Sequence, residues 1–548
     1  MTLFTPLGAV KHWAEKDPDR LLLTFVSIEN SEFVEENRSA KELLNNSLML
    51  AKALSKAGMQ EGERFALVMR NHPEFVEAML ASEILGTVFV PIDVRVQPER
   101  LAYMIQHTEC RGAIVSEEGI NKIDELNEWP DTLEWTWVID RDNTRSTPTV
   151  RSLSEILKRV DKERALSHPV NPRSFDETMQ MLFTSGTTGD PKAIQSNYSR
   201  FATVGAMNTI LGLTAEDRPY TGLSLTHANA QLISLGYSLA LGLPLVISRT
   251  FTKSRLWDIV AHYKCTTFNL LGGMATALFS EPESPRDKEH RIRFVLSAGM
   301  PATMWEEFEQ RFNVKIFEFY GTAEGGLTFN PPGAGPIGSI GKPPPGTQCE
   351  ILNEHDEPCE PFEIGEICFR NAEGKADPVK YFKDPKASEQ KTEGDWFRSG
   401  DCGYKDEKGW FYFSYRDGSA VRRNGEFINV EDMMTALAKH SDVDDVYVYG
   451  IPLASNTPGE KTVIASIVLR EDRKLVVDDF LSGVKEVISQ GAYPDYFQVL
   501  DDIPKTASEK PIDRFLIEHL NTGKGVIFSR DGELVNTIDT YQVKTEQK

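Results

Sequence analysis

The sequence predicts an α/β chain: a large N-terminal domain of parallel sheets with flanking helices plus a small β-subdomain, then a smaller α+β C-terminal domain. Three observations carry that expectation. Apolar runs of strand length alternate with stretches of helical period through the N-terminal half. Residues 325 to 346 hold seven Gly and six Pro, too many for a regular element, and short strand-like segments follow. A second break at Arg416-Asp417-Gly418-Ser419 leaves residues 418 to 548, enough for one independent domain. The chain of 548 residues is thus divided at 416/417, within the two to four units that about 150 residues per domain allows.

Taken in order, Leu43 to Ala57 has helical spacing and Arg64 to Met69 (RFALVM) reads as a buried strand. Pro73 to Leu85 is the next helix and Thr87 to Ile92 the next strand. The same rhythm returns at Leu243–Ser248, Phe294–Ser297 and Val314–Tyr320. Between the last two, Pro301 opens a helix whose Met304, Trp305, Phe308 and Phe312 fall on one face and read as core. Beyond the connector, Thr347–Asn353, Gly365–Arg370 and Trp410–Tyr415 look like short antiparallel strands, the β-subdomain of about residues 347 to 415. After Asn521, Gly523 to Ser529 reads as part of a hairpin.

Composition excludes several classes. A formal charge of −22 and a sequence pI near 5.0 oppose sequence-independent nucleic-acid binding, so an anionic ligand needs a local positive pocket. The six cysteines form no Cys-x-x-Cys pair, which suits reduced thiols. The first twenty residues lack the apolar core of a signal peptide, and the longest mostly apolar stretch, Leu232 to Ile247, is too short to span a bilayer. A cytoplasmic protein is expected.

Three segments carry chemistry. In Met181-Leu-Phe-Thr-Ser-Gly-Thr-Thr-Gly-Asp-Pro-Lys192 an apolar strand runs into hydroxyls, two glycines and a lysine. Glycines let backbone N–H groups converge on an anion, Ser185, Thr187 and Thr188 add donors, and Lys192 adds charge. The spacing departs from the Walker pattern, and a surface turn is the competing reading. Phe317-Glu-Phe-Tyr-Gly-Thr-Ala-Glu324 is again a strand ending in a Gly turn, where ligands gather in parallel sheets; Glu324 would suit magnesium. Trp396-Phe-Arg-Ser-Gly-Asp401 places after a turn a carboxylate able to accept both ribose hydroxyls. Taken singly, both carboxylates read equally as solvated turn residues.

Together, in this order and followed by Lys510, these segments resemble the AMP-forming acyl-adenylate superfamily: acid–CoA ligases, luciferases and peptide-synthetase adenylation domains. The resemblance spans about residues 10 to 515 and is most specific at Thr184, Ser185, Gly186, Thr187, Thr188, Gly189 and Lys192. Ser297, Ala298 and Gly299 look like the segment against adenine; Glu318, Phe319, Tyr320 and Thr322 belong to the Tyr-Gly motif; Gly338-Ser-Ile-Gly341 resembles the connector after it. Tyr381, Pro385, Gly400-Asp401, Gly403, Asp406 and Gly409 follow the spacing of the family's β-subdomain, and Arg416 resembles the arginine that shares the ribose with Asp401.

The resemblance implies a carboxylate attacking the α-phosphate of ATP to give acyl-AMP and pyrophosphate, then transfer to CoA, with Mg2+ on Glu324 and no prosthetic group. It further implies that Lys510, with Glu324 and Thr188, acts on the reacting groups, and that the mobile C-terminal domain rotates about a hinge near Gly418 to bring Gly425 and Glu426 to the thiol. His227, Asn229 and Gly321 would border the acyl group; Gly321 stands where acetate-specific relatives place Trp, which leaves room for a longer acid. The nearest overall character is that of crotonobetaine/carnitine–CoA ligases and of medium-chain or cyclic acid ligases.

Four departures stand out. Glu509 precedes Lys510 where Gly is usual, Ala323 replaces a Thr whose hydroxyl Thr322 would supply, Gly418 occupies the hinge, and Ala193 follows Lys192. Loading of a carrier-protein thiol and non-catalytic nucleotide binding are the alternatives. The expected partners are a carboxylic acid, ATP and CoA, with no nucleic acid and no integral membrane segment; the oligomeric state is left open, a homodimer among the options.

Overall fold

A computed structural model of the chain describes residues 3–126, 128–139, 149–184, 191–416, 421–423, 426–428, 430–452, 461–488, 493–506 and 511–538. Among these residues two large sheets dominate. One has seven strands in the order Val150–Ser152, Trp135–Val138, Cys110–Val115, Arg64–Val68, Val88–Ile92, Thr178–Phe183, Ala193–Asn197. All its pairings are parallel except the last, where Thr178–Phe183 turns back on Ala193–Asn197. The other has eight, in the order Leu327–Asn330, Lys315–Gly321, Phe294–Ala298, Thr267–Leu271, Pro219–Thr221, Leu245–Ser248, Leu21–Glu29, Glu32–Ser39, with antiparallel strands only at its two edges.

The predicted α/β alternation is present, and its physical basis lies in the helices between the sheets. Pro73–Leu85 is buried at every position but Glu74 and Leu85, its Glu77 and Glu83 included, which suits a helix covered all round. Its neighbours Pro6–Lys16, Ala40–Lys56 and Tyr198–Gly205 join it in one core with Phe65 and Phe89 of the first sheet and Tyr220, Val246 and Phe268 of the second. The stripe Met304, Trp305, Phe308 and Phe312 is buried as expected.

Three expectations are corrected. The helix near Pro301 begins only at Trp305, because tight turns bonded Met304 N to Pro301 O and Trp305 N to Ala302 O precede it. The Gly- and Pro-rich connector contains a strand, Leu327–Asn330, whose four residues between the glycines suffice to pair with Lys315–Gly321. Asp401 lies not after a turn but inside a nine-residue strand, Phe397–Lys405, where Gly400 and Gly403 had masked the extended pattern. With Thr347–Leu352, Gly365–Asn371 and Phe411–Arg416 that strand forms the expected small antiparallel sheet.

The C-terminal part is a separate smaller body around Val443–Ile451, Thr462–Leu469, Tyr496–Leu500, Val526–Ser529 and Leu534–Val535, the last two forming the hairpin foreseen near residue 523. It sits against the N-terminal domain at the Gly272–Ser280 helix, where Thr276, Ala277 and Ser280 meet Ala438, Val443 and Val446. Polar contacts surround this patch: Lys253 Nζ to Asp444 Oδ1 at 2.6 Å, Ser280 Oγ to the Asp444 carbonyl at 3.1 Å, Lys439 to Glu307 at 2.9 Å, and Arg470 to the Ser280 carbonyl. Surface ion pairs of this kind contribute about 0 to 1 kcal/mol each.

Buried charges on the central helix are partnered. Glu77 accepts from Arg38 at 2.7 Å and Asn46 at 2.8 Å, and Glu83 from the backbone N–H of Leu7 at 2.8 Å and of Arg173 at 3.3 Å. Burial pushes the Glu83 carboxyl up from 4.5 to about 7. A raised folded-state value favours the protonated form, so this stabilisation is complete below pH 4.5 and is lost as pH rises through 7, by on the order of 3 kcal/mol. Thermal unfolding of wild type and Glu83→Gln between pH 4.5 and 8 checks this: wild type loses stability relative to the variant across that window, whereas a constant difference contradicts the assignment.

Candidate active site

The strand Thr178–Phe183 and its return Ala193–Asn197 bracket the donor-rich loop, which is closed at its base where Thr184 N donates to Lys192 O at 3.1 Å. Ser185, Gly186, Thr187, Thr188 and Gly189 lie outside the described residues. At the loop's end Lys192 pairs with Asp384 at 3.3 Å and stands 5.4 Å from the centre of the Tyr381 ring. Tyr381 is fixed there because Ile194 bridges to it and the 380–382 backbone bonds to Gln195 and Ala193.

Tyr381 donates its hydroxyl to Glu324 Oε1 at 2.8 Å. Burial and then the Glu324 carboxylate hold this phenol far above its ordinary value, so it remains a donor. Glu324 stands in the turn that follows Lys315–Gly321. Thr322 Oγ1 donates to the Gly325 carbonyl at 2.9 Å and accepts from Gly325 N at 3.2 Å. The Thr322 hydroxyl thus bonds within its own turn in this structure and keeps one acceptor lone pair. Arg200, on the helix after the loop, donates to the Thr322 carbonyl at 2.6 Å, and burial lowers its guanidinium against the pull of Glu324 and Asp377.

One strand pleat before the turn, Tyr320 donates to Asp401 Oδ2 at 2.7 Å, and Arg416, the cross-strand neighbour of Asp401, holds Oδ1 at 2.9 Å. Asp401 N donates to Ser399 Oγ at 3.0 Å, which fixes the bend at Gly400. Burial and then Asp401 raise the Tyr320 phenol well above its usual value. Lys192, Tyr381, Glu324, the Tyr320 turn, Asp401 and Arg416 thus form one unbroken set of contacts across three sheets.

Ser297 and Glu318 are in register on adjacent parallel strands and face the same way. Glu318 accepts from Gly299 N at 2.5 Å and Met300 N at 3.2 Å, so it organises the backbone after Ala298 and is not free for a ligand through that oxygen. Gly299 has φ +91°, and its carbonyl lies so near Gly272 that a Cβ there would come within 2.3 Å. Phe319 points to the other face, into an apolar cluster with Phe317 and Phe329. His227 Nδ1 accepts from Asn229 N at 3.2 Å, and Asn229 Oδ1 accepts from Asn269 at 2.6 Å. Gly321 pairs with Leu327 at the sheet edge.

Lys510, Gly418 and Gly425 lie outside the described residues, as does the side chain of Glu426, whose backbone pairs with Arg423. The loop bearing Lys510 is closed at its base by a bridge between Lys505 and Pro511. Among the described residues no three His, Cys, Asp or Glu side chains gather as a metal cage. Glu324 Oε1 is held by Tyr381; a single carboxylate fits magnesium, which commonly takes one or two carboxylates and keeps water and phosphate as its other ligands. Sequence reasoning did not single out Arg200, Asp384 or Asn269, because each acts through a partner distant in the chain.

The AMP-binding enzyme model matches residues 10–374 and the AMP-binding enzyme C-terminal domain model residues 433–510. A crotonobetaine/carnitine–CoA ligase of Escherichia coli O7:K1 (strain IAI39 / ExPEC) is 27% identical over 465 residues, 84% of this chain and 89% of that protein. One from Shigella sonnei (strain Ss046) is 26% identical with the same coverage. In fold, the chain is similar to the anthranilate CoA ligase AuaEII in complex with anthranoyl-AMP, with a TM-score of 0.79 at 19% identity over 94% of this chain and 97% of that one. It is also similar to a benzoate CoA ligase from Burkholderia xenovorans LB400, with a TM-score of 0.75 at 20% identity over 94% and 100% of the two chains. By its sequence over most of its length, this chain belongs to the AMP-binding enzyme family.

Proposed function

We propose that the protein is an AMP-forming acid–CoA ligase, activating a carboxylic acid larger than acetate with ATP and passing the acyl group to CoA. The observation that carries this is the pair of carboxylates, Glu324 and Asp401, each clasped by a tyrosine hydroxyl, with the tyrosine on Glu324 lying beside Lys192 at the end of the phosphate-type loop. No side-chain nucleophile is needed. Two anions must be held against one another and their charge neutralised, which is positioning plus electrostatics.

In this reading Asp401, braced by Tyr320 and Arg416, accepts the ribose hydroxyls, and Ser297 to Gly299 lie against adenine. The 184–192 loop with Thr188 cradles phosphate. Magnesium on Glu324 supplies charge neutralisation at the phosphates, and Tyr381 keeps that carboxylate turned toward them. Lys510 bridges the attacking carboxylate and the α-phosphate. It sits on the C-terminal domain, 417–548, which then turns about Gly418 against the 1–416 domain and brings Gly425 and Glu426 to the thiol. The few ion pairs that seat this domain, Lys253–Asp444 among them, exchange for water at small cost. Among the described residues no helix is long and apolar enough to cross a membrane, and a cytoplasmic location belongs to this proposal.

Purified protein with ATP, Mg2+, CoA and a broad panel of acids is expected to release AMP and pyrophosphate; no AMP from any acid refutes the reading, and phosphopantetheinyl carriers outperforming CoA reassign the acceptor. Lys510→Ala is expected to lower pyrophosphate exchange by at least about 100-fold while sparing thioester formation from supplied acyl-AMP. Equal loss in both steps contradicts the role. Asp401→Asn keeps shape but removes the charge, and AMP affinity by calorimetry is expected to fall about 10- to 100-fold, the scale of a hydrogen bond to a charged group. An unchanged Kd places the ribose elsewhere.

A further inference from the structure

Buried asparagines are normally bonded on every side, and this chain offers a direct comparison. Asn71, 1% exposed, donates to the carbonyls of Leu223 and Ser248, each at 2.9 Å, and accepts from Leu225 N at 2.8 Å. Its amide is spent on holding loops together. Asn229 and Asn269 are as deeply buried, at 5% and 1% exposure, but among the described residues their amides bond only to each other. The Asn229 Nδ2 and the Asn269 Oδ1 have no partner among the described residues. Exchanging O and N in both amides gives the same result, since one amide group and one carbonyl oxygen are still left over. Each such group costs about 1 to 3 kcal/mol when buried unpaired.

The strand that bears Asn269 runs toward the crevice. Asn269 lies on the Thr267–Leu271 strand, in register with Leu296 and, one strand further, Phe317, on the face opposite Ser297 and Glu318. Three residues on, roughly 10 Å along the strand, Gly272 meets Gly299 at the carboxyl ends of the parallel strands. Asn229 opens a π-helix, Asn229–Leu235, a rare element that tends to occur at functional positions. His227, whose Nδ1 accepts from Asn229 N, stands just before it.

We infer that Asn229 and Asn269 form an amide dyad that selects acids bearing an uncharged hydrogen-bonding group, a hydroxyl or an amide, on the acyl chain. The dyad offers both a donor and an acceptor and carries no net charge, so it matches a group that can accept and donate at once. A plain hydrocarbon tail would leave both groups unpaired, and a site built to bond a hydroxyl rejects the analogue lacking it. The inference rests on the acid–CoA ligase reading and adds the substrate class to it.

The test uses matched acid pairs of equal chain length, one member plain and one carrying a hydroxyl or an amide, assayed for pyrophosphate release by wild type and by the Asn229→Leu/Asn269→Leu double variant. Wild type is expected to favour the polar member by at least about 10-fold in kcat/KM, and the double variant to lose that preference. Replacing both partners of an unsatisfied pair with apolar groups of similar size leaves stability unchanged or raises it, so the variant's melting temperature is expected at or above that of wild type. Wild type favouring plain acids, or making no distinction because a buried water satisfies the dyad, overturns the inference and leaves the ligase reading standing. A variant that melts well below wild type and loses activity equally on both members assigns the pair to structure alone. Activation of no acid by wild type overturns both readings.

Discussion

A phenol hydroxyl, that of Tyr320 at the end of a parallel strand, donates at 2.7 Å to the Asp401 carboxylate in a different sheet. Asp401 is only 6% exposed, and a carboxylate so placed needs strong donors or it loses more in desolvation than it gains. Arg416 and Tyr320 supply them from two directions. Because one donor belongs to the eight-stranded sheet and the other to the four-stranded sheet, satisfying the charge fixes how the two sheets meet. Tyr381 and Glu324 repeat the device, this time tying the edge of the seven-stranded sheet, where Ile194 bridges to Tyr381, to the turn that Arg200 braces. The crevice is defined by the needs of two carboxylates.

This local order contrasts with the rest of the electrostatics. The chain carries a net charge of −22, and at this site Lys192, Arg200 and Arg416 are each set against carboxylates: Asp384, the Glu324 and Asp377 pair, and Asp401. Positive and negative groups are thus interleaved here rather than massed as one sign. The seating of the C-terminal domain combines a small apolar patch at Ala277, Ala438 and Val443 with ion pairs around it.

Much of this was legible in the sequence because the signals are local. The run Thr184 to Lys192 carries its own chemistry, and Pro73 to Leu85 announces a buried helix by its composition and its proline. What the sequence hid was pairing. Asp401 looked like a turn residue because glycines flank it, whereas the strand Phe397–Lys405 exists through bonds to Gly365–Asn371 and Phe411–Arg416, both remote or reversed in the chain. Thr322 looked like a free hydroxyl, and only the turn geometry shows it bonded to Gly325. Asn269 is one polar residue in an apolar strand, unremarked until Asn229 is found against it.

The account stands on a single crevice that takes both nucleotide and acid. A crystal structure with a non-hydrolysable acyl-adenylate analogue tests it most directly. The account predicts ribose density against Asp401 and Arg416, the phosphate surrogate between Lys192 and Glu324, and the acyl group running toward His227. An analogue bound away from these residues, or ribose density remote from Asp401, would contradict it.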